Sequence, residues 1–105
     1  MKVLDLVLKA KWYNMIESGV KTEEYREMKD YWRRRLTTYN PFEPMFDYNF
    51  KDHCKNFDSV KFHYGYTNKT MVYKIEEIKM GVGKHEWGAP INEHVFIIKL
   101  GKRIE

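Results

Sequence analysis

The stretch Gly19-Val20-Lys21-Thr22-Glu23-Glu24-Tyr25-Arg26 changes character at its first residue. Upstream, Trp12, Met15 and Ile16 fall at i, i+3 and i+4, one apolar face of a short helix over 11–18. A glycine just past such a helix supplies the left-handed backbone that ends it without a Cβ clash. Downstream the chain is charged and reads as an extended segment over 21–27. Side chains alternate with period two, so Thr22, Glu24 and Arg26 share one face, and the carboxylate and guanidinium can pair beside Lys21. One reading is a solvated, salt-bridged surface strand. The other is a cluster that holds a ligand or does chemistry.

Working outward, residues 3–9 alternate as a strand, with Leu4, Leu6 and Leu8 on one face and Asp5 and Lys9 on the other. Asp30 is read as the N-cap of a second short helix, Tyr31 to Thr37, with Trp32 and Leu36 one turn apart as core anchors. Its run Arg33-Arg34-Arg35 interleaves guanidinium groups with rings, a combination that stacks on bases and clasps phosphates, and Arg33 and Arg35 are the expected anion contacts. Residues 37–57 carry Pro41 and Pro44 but also many rings, and are expected to form an ordered cover on the core, with Phe46, Tyr48 and Phe50 alternating as in a short strand. The last half is β: Val60, Phe62, Tyr64 and Tyr66 alternate, and Met71, Tyr73 and Ile75 follow after a turn at Thr67-Asn68-Lys69. At Glu76-Glu77 the phase slips, the mark of a β-bulge. A Gly-rich connection, Gly81 to Pro90, leads to Val95-Phe96-Ile97-Ile98-Lys99-Leu100, apolar on both faces and so a central strand. The expected fold is α+β: one domain over 1–105, a closed or nearly closed sheet of five to six mostly antiparallel strands with two short helices. Closure would remove the edges of so small a sheet.

Composition bounds the rest. A chain of 105 residues with 43% apolar and 16% aromatic content can bury a core and is too rich in rings for a solvated tail. Its one cysteine, Cys54, allows neither an intramolecular disulfide nor a Cys-rich zinc site. The four histidines lack metal-ligand spacing, so no metal and no cofactor is expected. Asp5 interrupts the apolar N-terminal run, which therefore reads as a strand and not as a signal peptide or membrane span. A cytoplasmic location and no membrane partner are expected. The net charge of +4 tolerates a polyanionic partner without demanding one. Gly81-Val82-Gly83-Lys84 lacks the spacing and the Ser/Thr of a phosphate-binding P-loop.

The motif Gly19-x-Lys21-x-x-Glu24-x-Arg26 resembles the GxKxxExR signature of ASCH domains, relatives of the PUA fold. The strand and Trp12-bearing helix before it, Tyr64-Gly65-Tyr66, Glu86-Trp87-Gly88 and the final Ile-Ile-Lys-Leu-Gly strand are similar to the family's order of elements, closest to small stand-alone bacterial or phage members. The resemblance implies a small PUA-like β-barrel whose motif lines a cleft that holds RNA or a nucleotide-like ligand. Ligand residues would be Gly19, Lys21, Glu24 and Arg26, with stacking rings from Trp12, Tyr64 or Trp87. Some stand-alone relatives hydrolyse the amide of N4-acetylcytidine, and ribonuclease activity is ascribed to others. On that alternative Lys21, Glu24 and Glu86 would be the catalytic positions, although the amidohydrolase has threonine where this chain has Glu24.

Lysine chemistry weighs between these. At its free pKa of about 10.4 an amine is a poor nucleophile at neutral pH, and it must be desolvated or set beside another cation to lose its proton. Arg26 would supply the cation while Glu24 would oppose it, and Glu86 could act as an acid/base partner or orient a water. A charged Lys21 would instead recognise a phosphate or carbonyl. A third class, a protein-interaction scaffold built on the motif, would leave nucleotides unbound.

Overall fold

The structure is a computed structural model that describes residues 2–38 and 50–105. Its five strands, β1 (Val3–Leu8), β2 (Glu23–Arg26), β3 (Ser59–Tyr64), β4 (Thr70–Val82) and β5 (His94–Arg103), form one sheet in the order β1-β3-β4-β5-β2. β1 runs parallel to β3, and the remaining pairings are antiparallel. The described helices are α1 (Ala10–Glu17), α2 (Asp30–Leu36) and α3 (Phe50–His53), with a 3-10 turn at His85–Trp87. The fold is α+β, a curled five-stranded half-barrel. Among the described residues no helix is long and apolar enough to cross a membrane.

Period-two burial makes β1 what it is: Leu4, Leu6 and Leu8 are buried while Val3, Asp5 and Val7 are exposed. β5 is apolar on both faces because both are covered. Phe96, Ile98 and Leu100 enter the main core, and Val95 and Ile97 join Tyr25, Ala89 and Trp87 in a second cluster on the other side. The slip at Glu76-Glu77 lies where the β4–β5 register shifts, between Tyr73 and Ile75 and again between Ile75 and Glu77. Such irregularity increases local twist and bend, which favours curling.

Several expectations need correction. Three described helices replace two, because Phe50 opens α3 and sits buried in the core instead of ending a strand. Phe46 and Tyr48 lie outside the described residues. The ends of the 37–57 segment that are described do pack: Thr37 bridges to Cys54, and Lys55 N donates to Leu36 O at 2.8 Å. Asp30 is the first residue of α2 and not its cap, for Lys29 precedes it in extended conformation; the carboxylate still sits favourably at the positive helix end. β3 stops at Tyr64 because Gly65 turns at φ 54°, which leaves Tyr66 fully exposed.

The β4–β5 connection folds back over the outer face of β2 and β5. A Cβ added to Gly83 would lie 2.5 Å from Tyr25 Cε1 and 2.8 Å from Ala89 Cβ. Gly83→Ala is therefore expected to destabilise by about 1–3 kcal/mol, the usual range for overpacking. Urea melts check this, and an unchanged midpoint would mean the connection is free to lift.

Candidate functional site

β1 and β2 are the two edges of the sheet, and the curl brings them to face each other. Between them lies a half-open cavity of about 550 Å³, flanked by α2 and by the connection that carries Trp87 and Gly88. Small-molecule sites commonly occupy some 300–1,000 Å³. All three tryptophans of the chain, Trp12, Trp32 and Trp87, line this one cavity, with Tyr31 beside them.

Lys21 is placed by the end of α1. Gly19 adopts φ 86°, its N–H reaches Ile16 O at 3.0 Å, and Lys21 N then donates to Met15 O at 3.0 Å. The side chain runs inward and is wholly buried. Its Nζ meets Glu24 Oε1 at 2.9 Å and donates to the Trp87 carbonyl, with the Trp12 and Tyr25 rings at 4.8 and 5.0 Å. Burial pulls the amine below the usual lysine range, while the Glu24 carboxylate pushes back and Arg26 adds to the lowering. The two acceptors and two ring faces around Nζ suit an ammonium. Lys21 stands behind the wall and does not line the cavity.

Glu24 and Arg26 do line it. Glu24 Oε2 meets Arg26 Nη1 at 3.1 Å, and Oε1 also accepts from Tyr25 N at 3.1 Å. Arg26 then spans the gap: Nη1 donates to Tyr25 O on β2 at 2.7 Å and Nη2 to Val7 O on β1 at 3.3 Å. A solvated surface strand is excluded by these burials, for Glu24 is 4% exposed. The motif is a buried ion cluster that fastens one sheet edge to the other.

Arg35 reaches the same seam from α2. It donates to Asp5 O at 3.3 Å and to Tyr31 Oη at 3.4 Å, and its guanidinium lies 5.2 Å from the Trp32 ring centre. Arg26 lies 5.1 Å from that same ring. The bonds of Arg35 are long and made to neutral oxygens, so it can turn to an anion at little expense; Arg26 is held by a carboxylate. The cavity can thus stack a planar ring and meet an anion at Arg35.

The remaining expected residues lie apart. Glu86 is exposed in the 3-10 turn, Tyr64 packs edge-on against Tyr13 at 5.0 Å, and Arg33 is half-buried on α2; none of the three lines the cavity. Gly19 acts through the helix end. Trp12 packs on Gly88, whose φ of 104° and missing Cβ let the indole approach. Trp32 combines both roles, packing on the core and lining the cavity. Sequence reasoning did not find the edge of β1, because strand order is not written in local pattern; the only signal was that Asp5 and Val7 share the face opposite the leucines.

Among the described residues no group of three or more His, Cys, Asp or Glu side chains could hold a metal ion. No protein-family model, curated protein or solved structure matches the chain.

Proposed function

We propose that the chain is an ASCH-type, PUA-like domain that binds RNA or a nucleotide-like ligand in the cleft between β1 and β2. The observation that carries this reading is the convergence of all three tryptophans, with Arg26 and Arg35, on one cavity of nucleotide size. Base–aromatic stacking contributes about 1–3 kcal/mol per base, and a guanidinium beside it supplies a phosphate contact. Tryptophan fluorescence reports on this site directly. Ribonucleoside monophosphates and a short oligoribonucleotide are expected to quench it, more weakly as salt rises. Arg35→Ala is expected to weaken binding roughly tenfold and to flatten the salt dependence. Absence of quenching at millimolar ligand would sink the proposal.

A hydrolase acting on N-acylated nucleosides or RNA is the second reading, favoured by the lowered pKa of Lys21. Its weakness is geometric, since the amine is enclosed and Glu86 faces solvent. Chromatographic turnover of N4-acetylcytidine that vanishes in Lys21→Ala would bring it to the front.

A further inference from the structure

Backbone groups on a strand alternate between its two edges. In β1 the even residues serve β3: Leu8 O accepts from Gly65 N at 2.9 Å, and Lys2 O from Asp58 N at 2.9 Å. The odd residues therefore turn their N–H and C=O groups toward the cleft. Arg35 and Arg26 confirm the direction, donating to Asp5 O and Val7 O from that side. On the facing edge of β2 the motif caps Tyr25, its N–H by Glu24 and its carbonyl by Arg26. The Asp5 and Val7 N–H groups have no such cap among the described residues. The cavity thus has one self-satisfied wall and one wall with open donors, next to the rings.

We propose that the open edge of β1 reads the pairing edge of a nucleobase: Val7 N–H donates to a ring or carbonyl acceptor, and a neighbouring β1 carbonyl accepts from the base's own N–H. This rests on the nucleotide-binding reading above and adds to it the selecting surface. A carbonyl oxygen has two lone pairs, so Asp5 O and Val7 O can each keep an arginine and still accept from a base. A base held in this way must present an adjacent donor and acceptor, so alkylation of its pairing edge excludes it.

The test exploits the same geometry. Proline is tolerated on an edge strand where the missing N–H is not part of the ladder, so Val7→Pro deletes the donor and spares the β1–β3 pairing. With tryptophan quenching as readout, each ribonucleoside monophosphate is titrated beside its edge-methylated counterpart: N6,N6-dimethyladenosine, N4,N4-dimethylcytidine, N1-methylguanosine and N3-methyluridine monophosphates. Expected is a loss of at least about tenfold for Val7→Pro and for the methylated ligands. If Val7→Pro does not fold, the methylated ligands on the parent protein decide. Parent-like binding of blocked bases would overturn the edge reading and leave stacking alone. A parent protein silent to every nucleotide would remove the binding reading first, and this inference with it.

Discussion

Glu24→Gln is expected to lower stability by about 3–5 kcal/mol, the range found when one partner of a buried charge pair is removed. The carboxylate accepts from Lys21, Arg26 and Tyr25 N together. Glutamine keeps the shape but leaves an ammonium with no exposed side-chain surface and no counter-ion. At roughly 4–8 °C per kcal/mol for a domain near this size, the melting temperature should fall by more than about 12 °C. Lys21→Met in the same background should recover part of the loss, since removing both members of a buried pair costs less than removing one. The variant's deficit against the parent should also shrink as pH rises: its lysine, already lowered, is lowered further, so the unfolded chain keeps that proton where the folded one has released it, up to the free lysine pKa. A loss under about 1 kcal/mol would mean that the cluster behaves as a solvated surface pair.

Much of this arrangement was legible in the sequence. The leucine alternation of β1, the helix ended by Gly19, the two-faced β5 and the slip at Glu76-Glu77 are all local patterns, and the structure has each of them. What local pattern does not contain is pairing order. The parallel β1–β3 pair sets β2 at the far edge, and only that order makes the motif a bridge between edges. Burial escapes local pattern for the same reason. Lys21 and Glu24 look solvated in one dimension yet are interior in the fold, Lys21 bonded beneath the Trp87 carbonyl, while Thr22 between them stays exposed. The family resemblance implies Glu86 as the acidic partner of Lys21. The structure brings Trp87's carbonyl there instead, and turns Glu86 to solvent.

The motif therefore divides the labour that its composition implied. Lys21 and Arg26 are committed to Glu24 and to backbone carbonyls, so their charge holds the seam open at a fixed width. Contact with a ligand falls to groups that are less engaged: the tryptophan faces, Arg35 and the β1 edge. Substitution within the motif should accordingly lower stability and binding together. Substitution of Arg35 should lower binding with the melting temperature nearly unchanged, because its bonds are long and partly exposed.

Alkaline pH is expected to unfold the protein in a cooperative step. Burial pushes the Cys54 thiol up to about 11 and raises the Tyr13, Tyr25 and Tyr73 phenols, with Glu17 adding to Tyr13 and Glu23 to Tyr25. Each of these groups keeps its proton in the folded state above the pH at which the unfolded chain releases it, from about 8.5 for cysteine and about 10 for tyrosine. The unfolded state then binds fewer protons, and stability falls as pH rises through that window. Lys21 acts in the opposite sense, since its amine is lowered, but it is one group against these four. Tyrosinate absorbance should accordingly rise in two parts: a graded component from exposed phenols, then an abrupt one coincident with loss of circular dichroism. Tyr13→Phe isolates the effect. Its buried hydroxyl has no hydrogen-bond partner among the described residues, so the variant should match or slightly exceed the parent near neutrality and unfold at higher pH. Graded ionisation of every tyrosine with the fold intact would mean that these phenols are open to solvent, and would remove burial as the source of the alkaline limit.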